Sequence, residues 1–198
     1  SHAHSKSNHI SDSSYDENKR WPDGLSPFGF KVVEEMNKQG VMIDISHVSD
    51  AAFMKVLELS RAPVVATHSS LRHFTPGWER NVSDEMLIAL AENGGVIQLC
   101  FGSDFVANRK DNPDLEVSVK SVVDHIDRVR DLVGIDHVGF GSDFDGEVPL
   151  PDDINDVSKF PNLIEELLIR GYSESEIDKI LNGNILRVWK EVRSLADA

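Results

Sequence analysis

The chain has 198 residues, 40% of them hydrophobic, and a formal net charge of −14 at pH 7. It is long enough to bury a sizeable core, and its field repels a phosphate backbone, which argues against a nucleic-acid partner. Cys100 is the single cysteine, which excludes an internal disulfide and a cysteine-based zinc cluster. No apolar run approaches the roughly 20 residues of a spanning helix, and the chain opens on "SHAHSKSN" without a methionine, so localisation and membrane anchoring stay open.

In chain order, strand-like and helix-like segments alternate. "SPFGFKVVEEMNKQG" reads as a helix, with Ser26 as N-cap, Pro27 at the first helical position, Phe28, Val32 and Met36 four apart, and Gly40 as the stop. "VMIDIS" (41–46) follows as a short buried strand, then "SDAAFMKVLELS" as a helix capped by Ser49 or Asp50. "PVVATH" (63–68) is the next strand, "SDEMLIALAENGG" a capped helix stopped at Gly94, and "VIQLCF" (96–101) a third strand. Segment 116–133 carries Val119, Val122, Val123, Ile126, Val129 and Val133 at helical spacing. "HVGFGSDF" (137–144) is a fourth strand, and "NLIEELLIRG" and "SESEIDKILNGNILRVWKEV" are helical, the second opening on a Ser173–Glu176 capping box.

Strands separated by helices of ten or more residues are βα units, which pack as a parallel α/β sheet. A doubly wound sheet and a barrel both fit. His47, His68 and Asp143 fall at the C-terminal ends of strands, the end on which a (β/α)8 barrel carries its chemistry, although open α/β sheets use that end as well. An eight-stranded barrel takes about 250 residues. Four strands in 198 residues look like half of one.

"IDISH" and "ATHS" end two successive strands alike, in His47 and His68. A lone strand-end histidine is commonly a hydrogen-bonded structural residue. Two at equivalent ends of neighbouring strands, about 4.8 Å apart, are placed to converge on one metal ion. Asp44 reads first as a buried, hydrogen-bonded carboxylate and second as a partner to that pair. In "GFGSDFDG" (139–146), Asp143 at the strand end is the catalytic candidate, while a turn explains Asp145; the third oxygen position of an EF-hand loop is missing. Arg80 stands just before a helix N-terminus, where a cation does not help the helix dipole; it either binds an anionic substrate group or is a solvated surface residue. His125 and His137 are assigned to structure, and Trp21, Trp78 and Trp189 mark no site.

The stretches "GLSPFGFKVVEEMNKQGVMIDISHVS", "APVVATHSS", "RNVSDEMLIALAENGGVI", "IDHVGFGSDFDG", "DVSKFPNLIEELLIRGYSE" and "GNILRVW", in that order, resemble the C-terminal half of the membrane (renal) dipeptidase family of zinc peptidases. The resemblance implies one partial TIM-barrel domain over 1–198, about four βα units of a (β/α)8 barrel, in an enzyme with two zinc ions that hydrolyses dipeptides by a metal-bound hydroxide. It further implies that His47 and His68 are zinc ligands, Asp143 the acid/base, and Arg80 the residue that holds the substrate carboxylate. A histidine of the opening segment would stabilise the oxyanion, His4 by the spacing of "HSKSNHISDSSYD" and His2 as its alternative.

The family's first-strand His-x-Asp pair and third-strand bridging Glu have no counterpart here, since His2, His4 and His9 are followed two positions on by His, Lys and Ser. Two imidazoles alone hold zinc weakly, because catalytic sites use three protein ligands. The expectation is an inactive isolated chain whose partner is the missing N-terminal half or a second copy of itself, with a small dipeptide as substrate. Another metal amidohydrolase on the same barrel and a non-catalytic half-barrel scaffold are the alternatives.

Overall fold

The computed structural model describes residues 6, 8–146 and 148–196. Its framework is a parallel sheet with strand order β1-β2-β3, formed by β1 (Val65–Ser69), β2 (Val96–Cys100) and β3 (Val138–Ser142). Helices α1 (Pro27–Gln39) and α2 (Asp50–Leu59) precede it, and α3 (Asp84–Glu92) links β1 to β2. The short α4 (Ser103–Val106) and the long α5 (Val119–Val133) link β2 to β3. After β3 come α6 (Phe160–Ile169), α7 (Glu174–Asp178) and α8 (Asn184–Ser194).

The helix ends follow their sequence signals. Ser26, Ser49, Ser83 and Ser173 each accept a backbone N–H of the first turn, filling one of the orphan donors there. Gly40 closes α1 in the left-handed conformation, φ 64°. The predicted continuous helix from Ser173 is interrupted: one π-helical turn, Lys179–Gly183, separates α7 from α8.

The expected strand at 41–46 is corrected to a single parallel bridge, Asp44 to Val65. Ile45 N donates to Val65 O and Val65 N to Ile43 O, but the ladder stops there. The next donor, Thr67 N, goes to the Asp44 side chain at 3.0 Å, and His68 N goes to Ser46 Oγ at 3.1 Å. Side-chain oxygens have replaced the carbonyls that would have extended the strand.

The sheet is bulged at two points, both near the C-terminal ends of its strands. Pairing of β1 with β2 shifts between Ala66 and Ser69, and pairing of β2 with β3 shifts between Leu99 and Cys100, leaving Gly141 as the extra residue. Bulges increase local twist and re-aim side chains. Here the bend is sharp enough to bring β3 against β1: a Cβ on Gly141 would lie 2.0 Å from Thr67 O and 2.8 Å from Gln98 O. Since both obstacles are backbone, Gly141→Ala is expected to destabilise the fold by about 1–3 kcal/mol. The check is a urea midpoint that falls at constant slope. Gly139→Ala, whose nearest obstacle is Ile180 O at 3.2 Å, is the milder control, and equal midpoints for the two variants would count against so tight a bend.

The main core joins Ile43, Ile45, Val64, Ala66, Ile97, Leu99 and Val138 of the sheet region to α2, α3, α5 and α6 through Phe53, Leu87, Leu90, Ile126 and Leu163. The helices touch in chain order, α1 on α2, α2 on α3, α3 on α5 and α5 on α6. A smaller cluster packs Val188 and Val192 of α8 against Val65 and Val96, the first residues of their strands. By the two-residue strand period these point away from Ala66 and Ile97. Among the described residues no helix is long and apolar enough to cross a membrane.

Candidate metal and substrate site

His68 is the penultimate residue of β1. His47 follows the bridged segment and sits in the left-handed region, φ 71°, which is unusual for a residue other than glycine. Its carbonyl is held from the opening segment, accepting Ser14 N at 2.7 Å and Ser13 Oγ at 3.2 Å. With the backbone so fixed, the two imidazoles converge, Nε2 to Nε2, at 2.8 Å. The Tyr15 ring lies 5.7 Å from that of His47 and forms one wall of the site.

Arg80 is only 3% exposed, so the solvated-surface reading is excluded. Nη2 donates to His68 O at 2.6 Å and lies 3.0 Å from His47 Nε2, while Nη1 donates to Ser69 Oγ at 2.9 Å. Its Nε–H has no acceptor among the described residues. Burial pushes the guanidinium below its ordinary pKa, against the opposing fields of Tyr15, Cys100, Asp143 and Asp44. A buried cation with a spare donor, beside two imidazole nitrogens, is suited to an anionic group.

Asp143 comes directly after β3 and is the second left-handed non-glycine residue, φ 65°. Gly146 N closes a turn onto its carbonyl at 3.0 Å. Burial pushes the Cys100 thiol up to about 12, so it stays protonated and its Sγ, 3.8 Å from Asp143 Oδ2, donates. A Cβ on Gly146 would fall 2.5 Å from Asp143 Oδ1, so the absence of a side chain there makes room for the carboxylate.

Asp44, 5% exposed, is the buried hydrogen-bonded carboxylate expected, and it also connects to the histidine pair. Its Oδ1 accepts Ser46 N and Thr67 N, each at 3.0 Å, and its Oδ2 lies 2.6 Å from Thr67 Oγ1, which in turn is 2.7 Å from His68 Nδ1. Sequence reasoning missed Thr67. Adjacent strand residues point to opposite faces, so contact between Thr67 and His68 side chains became possible only with the bulge, which no sequence signal marks. Tyr15 and Ser69 were missed as well.

His125 and His137 are structural, as expected. The former bridges Leu71 N and Val106 O, and the latter contacts Gly95 O. His4 and His2 lie outside the described residues. A surface depression of about 530 Å³ lined by Thr75, Trp78, Asp104 and Arg109 adjoins the site through Phe105, whose ring is 4.7 Å from Trp78 and 5.2 Å from the Arg80 Cζ.

Neutral imidazole is an ordinary donor for zinc and related divalent metals, and two Nε2 atoms sharing one point fit part of such a site. Among the described residues no group of three or more His, Cys, Asp or Glu side chains comes together as a complete one. The donor set therefore fits a metal that takes its remaining ligands from elsewhere.

Comparison with known proteins agrees with this chemistry. The family described as membrane dipeptidase (peptidase family M19) matches residues 1–198. Dipeptidase 3 of Rattus norvegicus and of Homo sapiens are each 40% identical over 174 residues, 88% of this chain and 34% of theirs. The crystal structure of the probable dipeptidase PvdM from Pseudomonas aeruginosa superposes with a TM-score of 0.89 at 32% identity, covering 98% of this chain and 62% of that one. A metallo peptidase from Rhodobacter sphaeroides, liganded with a phosphinate mimic of the dipeptide L-Ala-D-Ala, gives 0.80 at 33% identity over 92% of this chain and 50% of that one. The chain thus spans about a third of the curated relatives it matches. Matched by the family over its whole length, and alike in fold to its solved structures, the chain belongs to the membrane dipeptidase family, peptidase family M19.

Proposed function

We propose that this chain forms one side of the active centre of a zinc-dependent dipeptidase, the other side coming from an upstream half of the same (β/α)8 barrel. The observation that carries the reading is the convergence of His47 and His68 at 2.8 Å beside the buried Arg80. Relatives three times as long supply the rest of the rationale, since two imidazoles need further ligands. Four features support the half-barrel: strands in sequential order, helices in contact in the same order, the sharp bend at Gly141, and site residues at the strands' C-terminal ends.

In this reading two zinc ions occupy the complete centre, and His47 and His68 hold one of them. When bound, the metal supplies Lewis-acid polarisation of the scissile carbonyl and lowers the pKa of water. Arg80 receives the substrate's free carboxylate. Asp143 accepts the proton lost by the attacking water and returns it to the leaving amine. His4 stabilises the developing oxyanion. Because the Rhodobacter sphaeroides relative holds a mimic of L-Ala-D-Ala, dipeptides with a D-residue at the C-terminal position are the first substrates to try.

The test is zinc content and L-Ala-D-Ala hydrolysis for the 198-residue chain, alone and combined with the upstream half of a relative. Two zinc per reassembled barrel with hydrolysis, and neither from the chain alone, is the expected result. Hydrolysis by the chain alone would overturn the split-centre reading, and a reassembled barrel without zinc would overturn the metal reading.

A further inference from the structure

The hydrogen-bond chain behind His68 has a direction that follows from counting protons. A hydroxyl has one. Asp44 accepts two backbone N–H groups at Oδ1, and an ionised carboxylate only accepts. The 2.6 Å bond to Oδ2 is therefore donated by Thr67 Oγ1. With its proton committed, Thr67 Oγ1 can only accept from the imidazole, so the 2.7 Å contact is Nδ1–H of His68 donating to Thr67. In a neutral ring that leaves the lone pair on Nε2, the atom facing His47 Nε2.

We infer that Asp44 and Thr67 are positioning residues that fix His68 as its Nδ1–H tautomer and so keep Nε2 available for coordination. The inference rests on the reading of His68 as a ligand. It assigns Thr67 a role that its place in an apolar strand does not suggest, and explains why the strand is bulged there: the bulge lets Thr67 N and Oγ1 both reach Asp44 while the ring of His68 swings onto the hydroxyl. Groups that orient a metal-binding histidine in this way contribute to affinity through the ligand they hold.

The experiment compares wild type, Thr67→Val and Thr67→Ser. Valine has nearly the shape of threonine without the hydroxyl, and serine keeps it. Histidine 15N–1H correlation spectra of the metal-free chain report which ring nitrogen of His68 carries the proton. Competition with a chelating dye reports zinc affinity in the chain reassembled with an upstream half. Wild type and T67S are expected to show Nδ1–H, and T67V to lose it and to bind zinc about 10- to 100-fold more weakly. A wild-type His68 protonated at Nε2 would overturn the relay, and so would a T67V variant with unchanged tautomer and unchanged zinc affinity. Should T67V not fold, the wild-type and T67S spectra still decide. A tautomer shift in T67V with no zinc bound by wild type would uphold the relay and reject His68 as a ligand.

Discussion

Asp143→Asn is expected to lower kcat of the proposed assembled dipeptidase centre by about 10²- to 10⁴-fold, the usual contribution of a positioned acid or base, with its metal content unchanged. The substitution is unusually clean here. Asp143 holds φ 65°, a region that asparagine tolerates better than other non-glycine residues, so the turn closed by Gly146 N survives. Asparagine also keeps an oxygen for the Cys100 thiol. What it loses is the ability to take a proton. Asp143→Ala loses that too and adds a left-handed alanine, at roughly 1–2 kcal/mol. The pair therefore separates chemistry from folding: both variants should be equally slow, and only the alanine variant should melt earlier. Steady-state kinetics with metal analysis is the measurement, and near-normal turnover in Asp143→Asn would remove Asp143 from the proton-transfer role.

His47 shares that left-handed backbone with Asp143, and the two show what a sequence reveals and what it conceals. His47 and Asp143 were legible as site candidates because each ends an apolar run, a position that burial alone would fill with another apolar residue. Their left-handed backbones were not, because nothing local to "ISHV" or "SDFD" demands φ > 0. The helices were read well wherever a serine cap and a periodic apolar face coincided, as at Ser83 and Ser173; after Ser26 the cap and Gly40 placed the helix, but its buried residues are Gly29, Val33 and Asn37, and Phe28 of the expected apolar face is exposed. The π turn at Lys179–Gly183 was missed because one inserted residue scarcely alters a helical pattern. The strand at 41–46 was overcalled for a related reason. Ile43 and Ile45 are buried as predicted while Val41 is exposed, but Asp44 and Ser46 direct their oxygens to β1, and a hydropathy pattern does not register which atom fills a ladder position. Arg80 was legible as anomalous from its place before α3. Only the fold shows it buried among His47, His68 and Ser69.

Acid should loosen this fold well before its carboxylates are neutralised, through His125. The ring is fully buried and both nitrogens are engaged: Nδ1 accepts Leu71 N at 3.1 Å, and Nε2–H donates to Val106 O at 3.0 Å. A proton on Nδ1 would face the Leu71 N–H. Burial pushes the pKa down to about 4, opposed by the bond to Val106 and reinforced by His73. The unfolded chain takes up its proton near 6.5. The folded state prefers the neutral ring, so this stabilisation is complete above pH 6.5 and is lost progressively as the pH falls to 4, by which point the loss amounts to roughly 3 kcal/mol. Urea midpoints measured from pH 7.5 to 4.5 should fall in wild type and fall less in His125→Gln, whose amide cannot take up the proton. Parallel curves for the two proteins would show that some other group governs the acid limb. The loss would not be confined to the core. Leu71 leads out of β1 just beyond His68, and Val106 adjoins Phe105, whose ring packs on Arg80 and whose carbonyl accepts Asn81 Nδ2 at 2.8 Å. The folded ring itself gains its proton only near its own pKa of about 4, so the segments that pack on Arg80 stay seated over most of the interval in which the midpoint falls, and weaker substrate binding is expected only near and below pH 4.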